Sequence, residues 1–297
     1  MTDLTAPLPL DPPVGGAAPL ERVRGAARVT LGAGGRLGGL HQSGSAKVFL
    51  PDLRQPGPRG PEVVYLNTAG GLTAGDRLSY GLTLAPGVAA VGTTQTAERA
   101  YRAREGAATM AVTLELGAGA RLDWLPQETI LFEQSALDRT TCIEMAPDAE
   151  ALMAETVVLG RAAMGEVLTR VAFSDRRVVR VAGRPFWTEP FGFEGADLGA
   201  APALLGGARA VSTLALLAPG GGARAEDLAR ALQARLPAIL DRVRASGRAA
   251  PVMAVTGFRG RLIARMAATD VLGLRRALAH ALEFLRPGAP LPRVWQI

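Results

Sequence analysis

The feature that most narrows the fold is a unit that returns three times. An alternating strand runs into a Pro/Gly turn, and a strand of small residues starts beyond it. The copies read Leu84-Ala-Pro86-Gly-Val-Ala, Leu116-Gly-Ala118-Gly-Ala-Arg-Leu and Met145-Ala-Pro147-Asp-Ala-Glu-Ala-Leu, with turn positions 32 and 29 residues apart. Each unit offers an apolar face that only its neighbour can bury, so the repeat argues for strands stacked in layers. An irregular meander also puts Gly and Pro at its turns and stays open as the alternative. Between the turns, Met110, Val112, Leu114 and Leu116 share one strand face, and residues 77–84 alternate in the same way. Residues 167–173 and 177–181 read as further strands, the second with its charges outward.

The C-terminal third changes period. Leu228, Leu232, Leu236, Ile239, Leu240 and Val243 have helical spacing over residues 226–246, with Glu226 and Asp227 at the start, where the helix dipole favours acids. Pro237 predicts a kink or a break into two helices. A hairpin follows at 251–256 and 261–267, with its turn at 257–260. A second helix starts at Thr269 or Asp270, a suitable N-cap, and runs to about Leu285. Leu274, Leu278, Leu282 and Leu285 line its buried side, and Pro287-Gly288 stops it. The end, 291–297, reads as extended. Residues 1–20 hold five prolines and read as a flexible tail, which leaves 21–297 as a single domain.

Composition removes several classes. Hydrophobic residues make up 48% of the 297, enough for a core. One cysteine, Cys142, closes no internal disulfide and points to a reducing compartment. His41 and His280 are the only histidines, so a tight sulfur- or imidazole-rich metal site lacks ligands. The net charge of +6 invites a nucleic-acid reading, but the arginines are scattered among acids and no run of five basic residues exists. An acidic protein partner fits the surplus as well. No leader is visible in the first twenty residues, and the apolar stretch 198–218 is broken by Arg209 and glycines. A cytoplasmic protein with no nucleic-acid or membrane partner is expected.

The Gly-rich loops carry little chemistry. Gly70-Gly-Leu-Thr-Ala-Gly75 has the GxxxxG frame, but Asp76 and Arg77 stand where a phosphate loop needs Lys and Ser/Thr. Gly32-Ala-Gly34-Gly-Arg-Leu37 fails the dinucleotide pattern at its last position. No GxSxG elbow exists, and nothing links His41 beside Ser43 to an orienting acid. Four acids stand out. Asp76 follows the Gly-rich turn, Glu128 follows Pro126, Glu155 sits in an apolar run, and Glu189 lies among prolines and aromatics. A carboxylate in apolar surroundings is costly unless it is paired or coordinating. Hard oxygen ligands for a divalent ion are one reading. Ion pairing, with Arg99, Arg102 or Arg161 as candidate partners, is the other.

Several blocks resemble one family. Asn67-Thr-Ala-Gly-Gly-Leu-Thr-Ala-Gly-Asp76-Arg-Leu78 looks like the central motif of the urease accessory protein UreD (UreH) family. Gly92-Thr-Thr-Gln95-Thr-Ala-Glu-Arg-Ala-Tyr101-Arg102 resembles its next block, with Glu98-Arg99 where a small residue and Lys are common. Leu122-Asp-Trp124-Leu-Pro126-Gln127-Glu128-Thr-Ile-Leu-Phe132 is the most specific match, and Leu159-Gly-Arg161, Met164-Gly-Glu166 and Pro292-Arg-Val-Trp295 follow in order. The resemblance implies a mainly β, layered, β-helix- or solenoid-like stack with two C-terminal α-helices. It implies a non-enzymatic role in urease maturation: binding UreF, supporting recruitment of the GTPase UreG to the urease apoprotein, and helping nickel pass to the active site. No cofactor would be tightly held, and nickel would be transient. Asp76, Glu155 and Glu189 are the candidates for the nickel path, since carboxylates let nickel exchange where sulfur and imidazole would trap it. Arg293 and Trp295, with the C-terminal helices, are the candidate UreF face, while the block from Trp124 to Glu128 is expected to serve folding. A generic β-solenoid interaction scaffold without a nickel role fits the composition too. A β-fold hydrolase would need a nucleophile–base pair or a metal triad.

Overall fold

The computed structural model describes residues 22–161, 164–195, 198 and 205–295, and the proline-rich 1–20 lie outside them. Strand β1 (Arg24–Leu31) passes through a 3-10 turn into antiparallel β2 (Leu37–Gly44). β3 (Ala46–Phe49) and β4 (Glu62–Asn67) pair in a second sheet. The chain then winds in rungs. β5 (Arg77–Leu84) turns into β6 (Ala89–Thr94), and β7 (Glu98–Ala100) follows. β8 (Ala108–Leu116) turns into β9 (Arg121–Trp124), followed by β10 (Thr129–Leu131). β11 (Ala136–Met145) then turns into β12 (Glu150–Leu159).

The repeat read from the sequence is this winding. β5, β8 and β11 pair in parallel with Leu84, Leu116 and Met145 in one register row, so the three turns stack. The ladder continues around the corner: Gly87 N–H donates to the Ala118 carbonyl at 2.7 Å, and Glu150 N–H to that of Ala120 at 2.9 Å. β6, β9 and β12 form the matching parallel ladder in the second sheet. β13 (Ala172–Val181) adds a parallel strand to the first sheet, and antiparallel β14 (Arg184–Glu194) ends it, giving the order β14-β13-β11-β8-β5-β1-β2. β15 (Ala210–Leu217), β16 (Val252–Phe258) and β17 (Arg261–Ala268) extend the second sheet by antiparallel pairing.

The inner faces of the sheets enclose one core. Tyr65 O–H donates to the Gly81 carbonyl at 2.6 Å, and its ring meets Trp124 edge-on at 5.8 Å. Gly92 faces that indole: a Cβ there would lie 2.6 Å from a Trp124 ring carbon, so the backbone can pass only without a side chain. A second core lies on the outer face of the second sheet. Helices α1 (Arg224–Ala245) and α2 (Val271–Leu285) cover it, with Leu232, Ile239 and Val243 of α1 and Leu274, Leu278 and Leu282 of α2 buried alongside Leu152, Leu214 and Leu262. β12 is therefore covered on both faces, which is why its sequence is a nearly continuous apolar run. Asp270 caps α2 as predicted, accepting from the backbone N–H groups of Leu272 and Gly273.

Four expectations need correction. α1 runs unbroken through Pro237. Both Pro237 and Gln233, whose carbonyl loses its donor, are exposed, so the missing bond falls on the solvent side. Of residues 167–173 only Ala172 and Phe173 are in a strand, because the loop before them is held by Glu133, which accepts from Thr169 and Arg170 N–H. Residues 293–295 form a short 3-10 turn and are not extended. The charges of β13 do not all point outward, since Asp175 and Arg177 are buried. Among the described residues, no helix is long and apolar enough to cross a membrane.

Candidate functional site

The buried charges lie between the two sheets, next to the last rung. On β13 the inward positions are Phe173, Asp175, Arg177 and Val179, so the strand's period of two puts an acid and a base inside. Arg139 and Thr141 come from β11, Glu155 from β12, Glu189 from β14, Thr213 from β15 and Arg265 from β17. Arg177 is the hub. Its guanidinium donates to Glu155 at 2.7 Å, Asp175 at 2.5 Å, Glu189 at 2.7 Å and the Thr213 hydroxyl at 3.1 Å. Arg139 grips Asp175 with two nitrogens, at 3.0 and 2.7 Å, and also donates to Thr129. Thr141 O–H donates to Glu155 at 3.0 Å. Arg265 reaches Glu189 from the outside, its side chain 65% exposed. Three carboxylates thus meet three guanidiniums.

The electrostatics follow from this pairing. Burial pushes the Glu155 carboxyl up, but the Arg139 and Arg177 guanidiniums outweigh it and hold it well below the usual range. Burial likewise works to lower Arg139, and Asp175 and Glu155 override it and raise it. Arg177 moves the same way, with Glu155 and Asp175 overriding burial. A buried ion network of this kind fixes geometry, and removing one member leaves an uncompensated charge.

Beside the network lies a cavity of about 310 Å³, lined in part by Glu155, Arg177, Glu189, Thr213 and Arg265. It brings together two of the three acids named from the sequence for the nickel path, Glu155 and Glu189, through their shared partner Arg177. Asp76 is elsewhere. It closes the turn before β5, with one oxygen accepting from Val23 N–H and the other from Thr73 N–H, both at 2.8 Å. The Gly-rich loop therefore spends a backbone donor on its own carboxylate, consistent with its rejection as a phosphate cradle. Among the described residues, no cluster of three or more His, Cys, Asp or Glu is placed to hold a metal ion. The guanidiniums already fill the carboxylates' coordination, and a cation entering the cavity has to compete with them.

The remaining candidates are placed as follows. Glu128 accepts from Arg275 of α2 at 2.8 Å. Trp295 is buried, donates its indole N–H to the Leu125 carbonyl at 3.0 Å and lies under the Arg275 guanidinium, while Arg293 is exposed. Gln127 donates to the Val294 carbonyl at 2.6 Å. Asp123 accepts from Arg286, just past α2, at 2.6 Å. The block 122–128 is therefore the seat of the C-terminal segment. His41 is exposed on β2 and Cys142 is half-buried on β11.

Sequence reading missed Arg139, Asp175, Arg177 and Arg265. Asp175 and Arg177, two apart on a strand whose neighbours Phe173 and Val179 are apolar, carried the signal. The candidate pairings with Arg99 and Arg102 do not form. Arg99 donates to the Gly70 carbonyl, Arg102 has no carboxylate partner among the described residues, and Arg161 pairs with Glu166.

Comparison with known proteins gives a family for nearly the whole chain. Residues 23–296 match the family described as UreD urease accessory protein. The chain is 52% identical over 282 residues to the urease accessory protein UreD of Cereibacter sphaeroides (strain ATCC 17025), covering 93% of this chain and 96% of that one. It is 50% identical to the protein of the same name from Dinoroseobacter shibae, covering 94% of each. It is 37% identical to that of Agrobacterium fabrum, covering 93% and 92%. With a match that spans nearly the whole chain and includes both the rungs and the C-terminal seat, the chain belongs to the UreD family of urease accessory proteins, a family of accessory proteins and not of enzymes.

Proposed function

We propose that this chain is a non-catalytic scaffold of urease maturation in the cytoplasm. It binds UreF, through UreF supports recruitment of UreG to the urease apoprotein, and helps nickel pass to the urease active site. The family match over residues 23–296 carries the reading. The chemistry agrees with it: His41 and Cys142 are on different strands, and the cavity acids are held by arginines and not poised as acid and base.

Nickel is cargo in this reading. Glu155 and Glu189 border one cavity, and Arg265, mostly in solvent, is the guanidinium most easily displaced from Glu189. Weak oxygen ligands in competition with arginine suit release better than storage. Asp76 belongs to the proposal as the third acid, at the turn where β5 begins. The exposed Arg293, in the same 3-10 turn as the buried Trp295, marks the face offered to UreF.

Co-purification with UreF and apo-urease, with and without nickel and UreG, tests the proposal. A stable assembly is expected, and failure of the chain to enter it overturns the reading. Asp76→Ala and Glu189→Gln, each measured for UreF binding and urease activation, then separate the path from the frame. Normal activation removes that acid from the path, and lost UreF binding makes it structural.

A further inference from the structure

At the opposite end of the first sheet from the Pro/Gly turns, three rung connections stack on one another. Ala103 N–H donates to the Gln134 carbonyl at 2.7 Å, and Gln134 N–H to the Arg170 carbonyl at 2.6 Å. A groove of about 750 Å³ opens along this corner, and Arg102, Arg104 and Arg170 line it. Arg102 and Arg104 are exposed and make no ion pair among the described residues. The nearest carboxylate to Arg170 is Glu133 at 3.9 Å, and both its oxygens are already held by Thr169 at 2.7 Å. Ser135, only 2% exposed, also lines the groove, and its hydroxyl has no hydrogen-bond partner among the described residues. A buried hydroxyl left unpaired costs free energy that a ligand acceptor would recover.

We propose that this groove docks a carboxylate-rich peptide segment of a partner protein. Guanidinium forks pair with carboxylates through two parallel hydrogen bonds, and here two forks have no carboxylate of their own. The backbone at 102 and that at 170 are two rungs apart, about 10 Å at ordinary strand spacing. The arginines therefore follow an extended chain and do not converge on one small ion. The volume also falls in the range of sites that enclose ligands much larger than a single oxyanion. Glu194 also lines the groove, so its three arginines outnumber its acids by two and leave it positive.

The test uses the full chain and a fluorescein-labelled hexaglutamate peptide, read by anisotropy at about 50 mM salt, where surface charge is only partly screened. Hexaglutamine with the same label is the control peptide, and inorganic phosphate is the competitor. Hexaglutamate is expected to bind, and hexaglutamine not to. Arg102→Ala/Arg170→Ala is expected to weaken binding at least tenfold, and Arg104→Glu alone to do the same. Arg230→Ala/Arg244→Ala, which removes equal charge from exposed positions on α1, is expected to leave binding within twofold. Equal loss in both double variants, equal binding of hexaglutamine, or no binding of hexaglutamate overturns the proposal. Displacement of the peptide by phosphate at equal concentration also overturns it, in favour of a simple oxyanion site.

Discussion

Replacing Arg177 with Met tests whether the buried network holds the last rung in place. Arg177 touches Glu155, Asp175 and Glu189 at 2.5 to 2.7 Å, and the substitution leaves those three carboxylates to Arg139 and the largely exposed Arg265. Removing one member of a buried pair costs about 3–5 kcal/mol, because the partner's charge stays buried. For a chain of 297 residues that corresponds to a Tm lower by about 5–8 °C. The pH dependence identifies the cause. In the native protein Glu155 is held below its unfolded value, so its contribution is fully present above about pH 4.5 and is lost as pH falls through the folded value. In the variant only Arg139 and Thr141 still oppose burial, so the carboxyl moves up and protonating the folded state becomes easier toward acid pH. Calorimetry from pH 8 to 5 is expected to show the largest deficit at pH 8 and a shrinking one toward pH 5. Arg177→Met/Glu155→Gln should recover part of the loss. A Tm within 2 °C of the native protein, or a deficit independent of pH, refutes the reasoning.

Other predictions concern separate parts of the molecule. Burial, partly offset by the Asn67 side chain, pushes the Glu98 carboxyl up to about 7, so the fold loses stability as pH rises from 4.5 through 7. Glu98→Gln is expected to flatten that slope by at most about 3 kcal/mol, measured by denaturant unfolding at pH 5 and pH 8. Gly92→Ala forces a Cβ against Trp124 and should cost about 1–3 kcal/mol, whereas Gly57→Ala, in open space, should shift stability by less than about 1. Asp270→Ala removes the cap of α2 and should cost about 1 kcal/mol, with faster amide exchange at Leu272 and Gly273.

The rungs were legible because Pro86, Ala118 and Pro147 mark the same corner of successive turns, and stacking puts their strand ends in one register row. α2 was legible from Asp270 and its leucine stripe. The inward face of β13 was not, because Asp175 and Arg177 alternate with Arg176 and fit an outward pattern equally well. A period of two fixes which residues share a face and not which face is buried. The acids of the cavity stood out as carboxylates in apolar runs. Their partners did not, since Arg139, Arg177 and Arg265 come from three strands far apart in sequence and meet only once both sheets are formed. Pro237 does not break α1 in two, because its place on the exposed side of the helix leaves the unpaired carbonyl to solvent.

The central claim is that this chain lets apo-urease mature without catalysing a reaction itself. The direct measurement is the nickel content and activity of apo-urease incubated with UreF, nickel-loaded UreG and GTP, in the presence and absence of this chain. The account predicts nickel incorporation and urease activity that depend on the chain, with the chain recovered unaltered in complex with UreF. Equal incorporation without the chain would contradict it.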